Sequence, residues 1–414
     1  MKSRKVDVLI IGGGPAGLAA AAALHGLGIT DILLVERENE LGGILRQCIH
    51  EGFGLKRFKT SLSGPEYAAR FVRRLEELGI EHICGAAVTD LTEDKRCTVV
   101  SGEGLMEVTA RAVILAMGCR ERTRGAIAIP GSRPSGVMTA GVAQSYMNIH
   151  NKQVGKEVVI LGSGDIGMIM ARRLTLEGAR VLGVYELLPY ASGLPRNISQ
   201  CLEDYDIPLH LSRTVSRIHG RDRLEGITVM AVDDKLVPVN GTEEFIPCDT
   251  LILSVGLIPE NELSLAAGVV LDPRTKGPVI SEAYETSVPG IFAAGNVLQV
   301  HDLVDQVSME AERLAEGVAN YLDGKKSDLG FACMLPGAHV SYVVPQRVAL
   351  NEDKKVTVSL RLREPLRDRM LHVIQDEITV YSRKISHAIP AEMIQFQLPA
   401  GCVKSTGDME VMIS

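Results

Sequence analysis

Residues 6–36 read VDVLIIGGGPAGLAAAAALHGLGITDILLVE, an apolar strand, a glycine turn, an alanine-rich helix and a second apolar strand ending in an acid. That order describes a βαβ motif built to hold a dinucleotide. Gly12, Gly14 and Gly17 satisfy GxGxxG. In that spacing the first glycine permits a tight turn, the second lets backbone approach a pyrophosphate, and the third lets helix and strand pack closely. The helix that opens at Pro15 and Ala16 presents unpaired N–H groups and a partial positive charge to the phosphates. Glu36 follows Gly17 by 19 residues, at the end of the second strand, where a carboxylate accepts from both hydroxyls of an adenosine ribose.

The same design returns further along. Residues 157–186, EVVILGSGDIGMIMARRLTLEGARVLGVYE, carry Gly162, Gly164, Asp165, Ile166 and Gly167 in the turn and end in Glu186. The glycines and the acid each stand 150 residues after their counterparts. A strand meander is expected after each motif, over 80–113 and 209–246, and each leads to a buried strand running into a glycine, at 112–118 and 251–256. Two bound nucleotides are expected, because the second copy keeps both the glycines and the acid. Glu186 also selects the second nucleotide. A carboxylate there hydrogen-bonds the 2′-hydroxyl of NAD and repels a 2′-phosphate, and Leu187, Leu188 and Pro189 bring no arginine to hold one.

Composition bounds the rest. With 414 residues the chain is long enough for about two or three domains, and 46% hydrophobic with 23% charged residues is ordinary for a soluble globular protein. A net charge of −7 gives no electrostatic reason to expect nucleic acid or an anionic membrane as partner. No apolar run has the length of a membrane span. The basic start and apolar run of residues 1–11 superficially resemble a signal peptide, but Asp7 interrupts them and the run feeds straight into the glycine turn, so a cytoplasmic protein is expected. The eight cysteines are never closer than 13 residues apart, which excludes CxxC pairs, local zinc knuckles and clustered iron–sulfur runs, so no metal site is expected.

Between these landmarks, Gly42-Gly43 forms a second glycine pair, and 61–78 reads as a helix capped at Ser63. Residues 286–296, TSVPGIFAAGN, read as turn, buried strand and glycine with a polar end. A helix over about 305–321 follows, with Asp305 as its expected cap, and a charged linker at 323–328. Beyond it Val356, Val358, Leu360 and Leu362 alternate with Thr357, Ser359, Arg361 and Arg363, and Ile394, Phe396 and Leu398 repeat the period. This predicts a small antiparallel β domain, suited to partner docking or packing rather than to chemistry.

With these landmarks in place, residues 5–325 resemble the two-dinucleotide-domain flavoprotein oxidoreductases, the group that includes thioredoxin reductase, glutathione reductase and NADH oxidases. The resemblance rests on GGGPAG with Glu36, the AMG strand end at 116–118, GSGDIG with Glu186, and TSVPGIFAAGN. It implies an α/β fold of two Rossmann-like dinucleotide-binding domains, for FAD and NAD, each with a β-meander, plus the small C-terminal β-rich domain. The implied boundaries are 1–120 with 257–326 for a discontinuous FAD domain, 121–256 for the NAD domain and 327–414 for the last. FAD pyrophosphate is implied on Gly12 to Gly17, the adenosine ribose on Glu36, flavin-side backbone near Gly43, and the ribityl chain at Asn296, where the family usually has Asp. Further cofactor contacts are implied at Arg37, Ile44, Val88 and Ala116, and at Gly118, Gly256, Gly295 and Val307.

A redox disulfide would fall near Leu45 and His50 in one branch of that family and within 137–142 in another, and neither stretch has a cysteine pair. Cys48 is then a candidate for a lone sulfenate-forming thiol and His50 for proton handling, each set against a plainer reading as a packed thiol and a structural histidine. A nearer likeness, through LGGILRQCIHEGFG, GSGDIG and LEDYDIPLHL, is to the FAD/NAD subunits of opine oxidase and hydrogen cyanide synthase type and those accompanying anaerobic glycerol-3-phosphate dehydrogenase. Such subunits pair with a second flavoprotein, and several carry an iron–sulfur segment where this chain has only Cys333 and Cys402. The implied reaction is hydride exchange between NAD(H) and FAD where the two folds meet, with electrons passed to or from a partner flavoprotein or iron–sulfur protein, such as a glycerol-3-phosphate or amine dehydrogenase complex. Two alternatives stay open: a stand-alone NADH oxidase or peroxidase using Cys48, and a non-catalytic FAD- and NAD-binding subunit. A homo- or hetero-oligomer fits each of them.

Overall fold

The computed structural model describes residues 2–325, 330–350 and 353–414, so the end of the expected 323–328 linker and the 326/327 boundary lie outside the described residues. The chain divides into two compact units, Met1–Cys119 with Pro259–Ser414, and Arg120–Ile258.

In the first unit, β1 (Lys2–Ile11), α1 (Pro15–Gly26) and β2 (Ile32–Val35) form the first βαβ motif. β1 and β2 are parallel, with Val8 opposite Ile32 and Ile11 opposite Val35. Their apolar runs suit strands covered on both faces. Small side chains let α1 lie close on the sheet, burying Ala16 to Ala21 and Leu24. α2 (Gly64–Leu78) starts at Ser63 as expected, in a reciprocal cap: Glu66 N–H donates to Ser63 Oγ and Ser63 N–H to the Glu66 carboxylate.

The meander differs from expectation at its start. Glu81–Ile83 joins the parallel sheet beside β2, and the antiparallel run is Ala86–Leu91, Arg96–Ser101 and Gly104–Leu115. The last of these strands also pairs in parallel with β1, and Ile291–Ala293 adds beyond it.

The second unit repeats this difference. Its parallel sheet runs Val137–Thr139, Thr250–Leu253, Glu157–Leu161, Arg180–Tyr185 and Leu209–His210, with α3 (Ala140–Asn148), α4 (Asp165–Leu176) and α5 (Pro195–Cys201) as connections. Leu209–His210 is therefore a parallel edge strand, and only Arg213–Gly220, Leu224–Ala231 and Glu244–Pro247 form the antiparallel meander. In both copies a strand that follows a crossover helix extends the parallel sheet before the chain can reverse.

α6 (Glu262–Ala266) and α7 (Val304–Leu322) return to the first unit. The residue at the N-cap of α7 is Leu303, which corrects the expectation for Asp305. Asp305 lies buried in the first turn and accepts N–H groups from Lys56 (3.4 Å) and Arg57 (3.2 Å), so its carboxylate fastens a neighbouring segment to the helix start.

The C-terminal region falls in the first unit and has its own core, with Val358, Leu360, Leu371 and Val373 among its fully buried members. One sheet runs Arg347–Ala349, Phe331–Pro336, Met409–Ile413, Leu366–Gln375 and Ile378–Ala388, the other Val340–Val344, Val356–Leu362 and Ile394–Leu398. Phe331–Pro336 and Met409–Ile413 are parallel, so the region is not wholly antiparallel. Val356, Val358, Leu360 and Leu362 are buried as the alternation predicts. The opposite face is mixed: Ser359 is 4% exposed and the Arg361 side chain turns onto Asp302 of the first fold, while Thr357 is half-buried and Arg363 is exposed.

Candidate functional site

The first glycine turn is shaped by contacts that only glycine tolerates. Gly12 has φ +110°, and a Cβ on Gly17 would stand 1.9 Å from the Gly12 carbonyl oxygen. Gly14 is open, its nearest neighbour being the Gly43 Cα at 3.9 Å. The Gly42 N–H donates to the Gly13 carbonyl (2.8 Å), which lays the second glycine pair against the first turn. On a third side, a Cβ at Gly295 would meet Ala16 Cβ at 2.9 Å and Val307 at 3.3 Å. Gly12 to Gly17, Gly43, Gly295 and Val307 are thus brought together, with the backbone at Gly14 left uncovered.

Glu36 is buried beside this turn and accepts from the N–H groups of Gly13 (2.6 Å) and Glu38 (2.8 Å). A carboxylate has about four acceptor positions, so two remain for a ribose diol. The Ala86 N–H donates to the Glu36 carbonyl (3.0 Å), which sets the start of the strand bearing Val88 against the acid. Ala116 is buried at the strand end beside Gly12, and Gly118 follows it at φ +72°. Arg37 and Ile44 are exposed, with Ile44 at 57%.

The turn after Asn296 holds a polar network that the sequence reading missed. Buried Glu310 accepts from the Gly295 N–H (2.8 Å) and the Gln299 side chain (2.9 Å), and its carboxylate lies 3.2 Å from His301 Nε2. Burial alone would raise the Glu310 carboxyl, but the facing His301 ring and the Gly295 N–H hold it below the ordinary glutamate range. Asn296 Oδ1 accepts the His301 N–H (3.0 Å), which fixes the amide, and its Nδ2 points to Cys119 Sγ at 3.5 Å. Arg361 then donates to the Asp302 carboxylate, to the carbonyls of Val300 (3.0 Å), Pro390 (2.9 Å) and Ala391 (2.8 Å), and to Tyr342 Oη (3.1 Å). Asp302 also accepts the Met393 N–H (2.6 Å). One signal was available: Glu310 stands on the 307, 310, 311, 314 face of α7, among apolar residues, where an acid needs a buried partner.

The second turn keeps the plan. Gly162 has φ +97°, and a Cβ there would stand 2.1 Å from the Ser254 carbonyl oxygen. The Gly167 N–H donates to Ser254 Oγ (3.1 Å), and Gly164 is open to 3.4 Å. Asp165 accepts from the Leu194 N–H (2.8 Å) and the Asn197 amide (2.6 Å), Ile166 is half-buried and Gly256 is exposed. Glu186 is buried, and its carboxylate accepts from the N–H (2.9 Å) and Oγ (2.5 Å) of Ser163, from Ser192 Oγ (2.9 Å) and from the Leu188 N–H (3.0 Å).

Cys48 donates to the Ile44 carbonyl (3.3 Å), and burial pushes its thiol up to about 12, the opposite of what a reactive thiolate needs. His50 packs on Phe53 at 4.9 Å. All eight cysteines are free thiols. Among the described residues no helix is long and apolar enough to cross a membrane, and no group of three or more His, Cys, Asp or Glu side chains is placed to hold a metal.

Comparison with known proteins agrees with this geometry. The chain is 28% identical over 319 residues to the HcnB subunit of hydrogen cyanide synthase from Pseudomonas aeruginosa, covering 70% of this chain and 66% of that one. It is 27% identical over 313 residues to an opine oxidase subunit from Agrobacterium tumefaciens, covering 70% and 61%. The match thus spans just under two thirds of these relatives. In fold it is similar to thioredoxin reductase of T. acidophilum, with a TM-score of 0.63 at 23% identity over 78% of this chain and all of that one. The family model described as pyridine nucleotide-disulphide oxidoreductase matches residues 6–313, both glycine turns and most of α7 included, and the chain belongs to that family, whose members bind FAD and NAD(P)H.

Proposed function

We propose that the chain is an FAD-dependent NADH oxidoreductase that exchanges hydride between NAD(H) and FAD and passes electrons to or from a partner flavoprotein or iron–sulfur protein. The observation that carries this reading is a pair of glycine turns, each backed by a buried acid that receives the turn's own N–H, in a chain with no cysteine pair. Bound FAD and NAD(H) supply the redox chemistry. The chain binds and orients. Gly14 leaves room for a pyrophosphate at the start of α1, Glu36 keeps acceptors for a ribose, and Asn296 is held by His301 with an amide hydrogen left to donate. Preference for NAD over NADP rests on the carboxylate of Glu186. The partner reading draws on the two relatives named as subunits, and free thiols suit a cytoplasmic, reducing location.

Anaerobic addition of NADH to the FAD-loaded protein tests the proposal. Rapid bleaching of the oxidised-flavin band is expected, together with fast turnover on artificial acceptors and slow turnover on oxygen. Bound FAD that stays oxidised would overturn it in favour of a non-catalytic role. Fast turnover on oxygen or peroxide alone would overturn the partner reading.

A further inference from the structure

The two buried acids differ in how many donors they already hold. Glu36 accepts from two backbone N–H groups. Glu186 accepts from two backbone N–H groups and two serine hydroxyls, and three of these four donors, the Ser163 N–H and both hydroxyls, crowd onto Oε2, while Oε1 takes only the Leu188 N–H. One hydroxyl comes from Ser163, which stands in the second turn where Gly13 stands in the first. The other comes from Ser192, on the loop that follows the second strand of the motif. That loop is seated on the glycine turn itself. Ser192 N–H donates to Ser163 Oγ (2.9 Å), Leu194 N–H donates to Asp165 Oδ1 (2.8 Å), and a Cβ on Gly193 would stand 2.8 Å from the Ser163 carbonyl oxygen. Ser192 is itself exposed, and its bond to the buried Glu186 carboxylate is only partly buried.

We propose that Ser192 is a built-in competitor for the second nucleotide: its hydroxyl occupies Oε2 of Glu186 and leaves Oε1 as the open acceptor, so an adenosine diol engages both carboxylate oxygens only as Ser192 lets go. The inference rests on the reading of the second turn as a dinucleotide site. A ribose hydroxyl gained on Oε2 replaces a hydrogen bond already made, so that exchange adds little net affinity. The site is thereby set for loose binding and quick release, as a redox nucleotide that must leave after each turnover requires. The Glu186 carboxylate itself acts against a 2′-phosphate, which it would meet as a like charge with no cation on Leu187, Leu188 or Pro189.

The test is the dissociation constant of ADP-ribose, which carries the adenosine diol and the pyrophosphate but no redox group, on the full FAD-loaded chain. Ser192→Ala removes the competing donor and is expected to tighten ADP-ribose by about three- to tenfold, the worth of one ordinary hydrogen bond, mainly through slower release. Ser192→Thr keeps a hydroxyl and should bind as the parent does, and Ser192→Gly repeats the loss of the donor should the alanine variant misfold. Unchanged or weaker binding by both donor-less variants would overturn the inference and leave the nucleotide site standing. No ADP-ribose binding by the parent or any variant, with FAD still bound, would overturn the nucleotide reading of the second turn and the inference with it.

Discussion

Gly13 and Ser163 occupy the same step of two turns 150 residues apart, and what surrounds them is finished in opposite ways. Around the first turn the chain adds supports that do not touch the acid: Gly42-Gly43 on one side, Gly295 on another, and behind Gly295 the Glu310–His301–Asn296 network, with the adjoining turn clamped by Arg361 from the C-terminal region. Around the second turn the added groups are hydroxyls placed on the acid itself. On the proposed assignment of FAD to the first turn and NAD(H) to the second, the contrast is between a seat made rigid for a resident cofactor and a seat kept partly filled for a visiting one. One βαβ plan serves both, and the difference lies in side chains that no glycine motif records.

The strongest test of that contrast is at the clamp. Arg361→Met takes the half-buried guanidinium from the Asp302 carboxylate, which keeps the Met393 N–H, and from the carbonyls of Val300, Pro390 and Ala391. A loss of about 3–5 kcal/mol is expected in urea unfolding, with FAD released at lower urea than in the parent. A loss near zero would mean that the first seat does not depend on the C-terminal region.

The two helix glycines come next. Gly17→Ala drives a Cβ to 1.9 Å from a backbone oxygen, whereas the nearest atom for Gly167→Ala is the Ser254 Cβ at 2.7 Å. Calorimetry should show a cost of about 3 kcal/mol for the first and about 1–2 kcal/mol for the second. Equal costs would argue that both turns are equally rigid.

Glu310→Gln should cost about 1.5–3 kcal/mol at neutral pH by weakening the charge-assisted bonds to His301 and Gly295. Because the folded Glu310 carboxyl lies below its ordinary value, its contribution is complete above the unfolded-state value and disappears as pH falls through the folded one. The gap between parent and variant, followed by thermal melting, should therefore close on acidification. A gap that widens in acid would contradict the assignment.

The smallest effect concerns Cys48. With its thiol pushed up to about 12, alkylation at neutral pH should be slow, while exposed Cys333 labels quickly. Peptide mapping after timed labelling separates them, and early labelling of Cys48 would reopen a thiol-based peroxidase.

Both glycine turns, both acids, the cap at Ser63 and the buried strand ends could be read from the sequence because each is a local pattern with one physical cause. The edge strands Glu81–Ile83 and Leu209–His210 could not, since membership of a parallel or antiparallel ladder depends on a partner distant in the chain. Asp305 looks like a cap when only its own helix is considered. It is claimed instead by the Lys56 and Arg57 N–H groups, 249 and 248 residues earlier. Arg361 shows the same limit. Alternation placed it only on the face opposite the apolar one, and it is the packed first fold that draws its side chain onto Asp302. Ser192 carries no motif at all, and its role depends on the loop being seated on the turn.

The reach of Arg361 has a consequence for anyone trimming this protein. A fragment ending at Lys325 would contain the whole stretch that marks the family and would look, by sequence, like a finished reductase. It would nevertheless lack Arg361 for Asp302, Gln346 for Asp272 and the Ile280 N–H, and Arg347 for the carbonyls of Glu285 and Thr286. Buried polar groups would be stripped along the whole seam at once. Such a fragment should purify as an apoprotein that aggregates, so the appended β region is better treated as an inseparable back wall than as a portable tail.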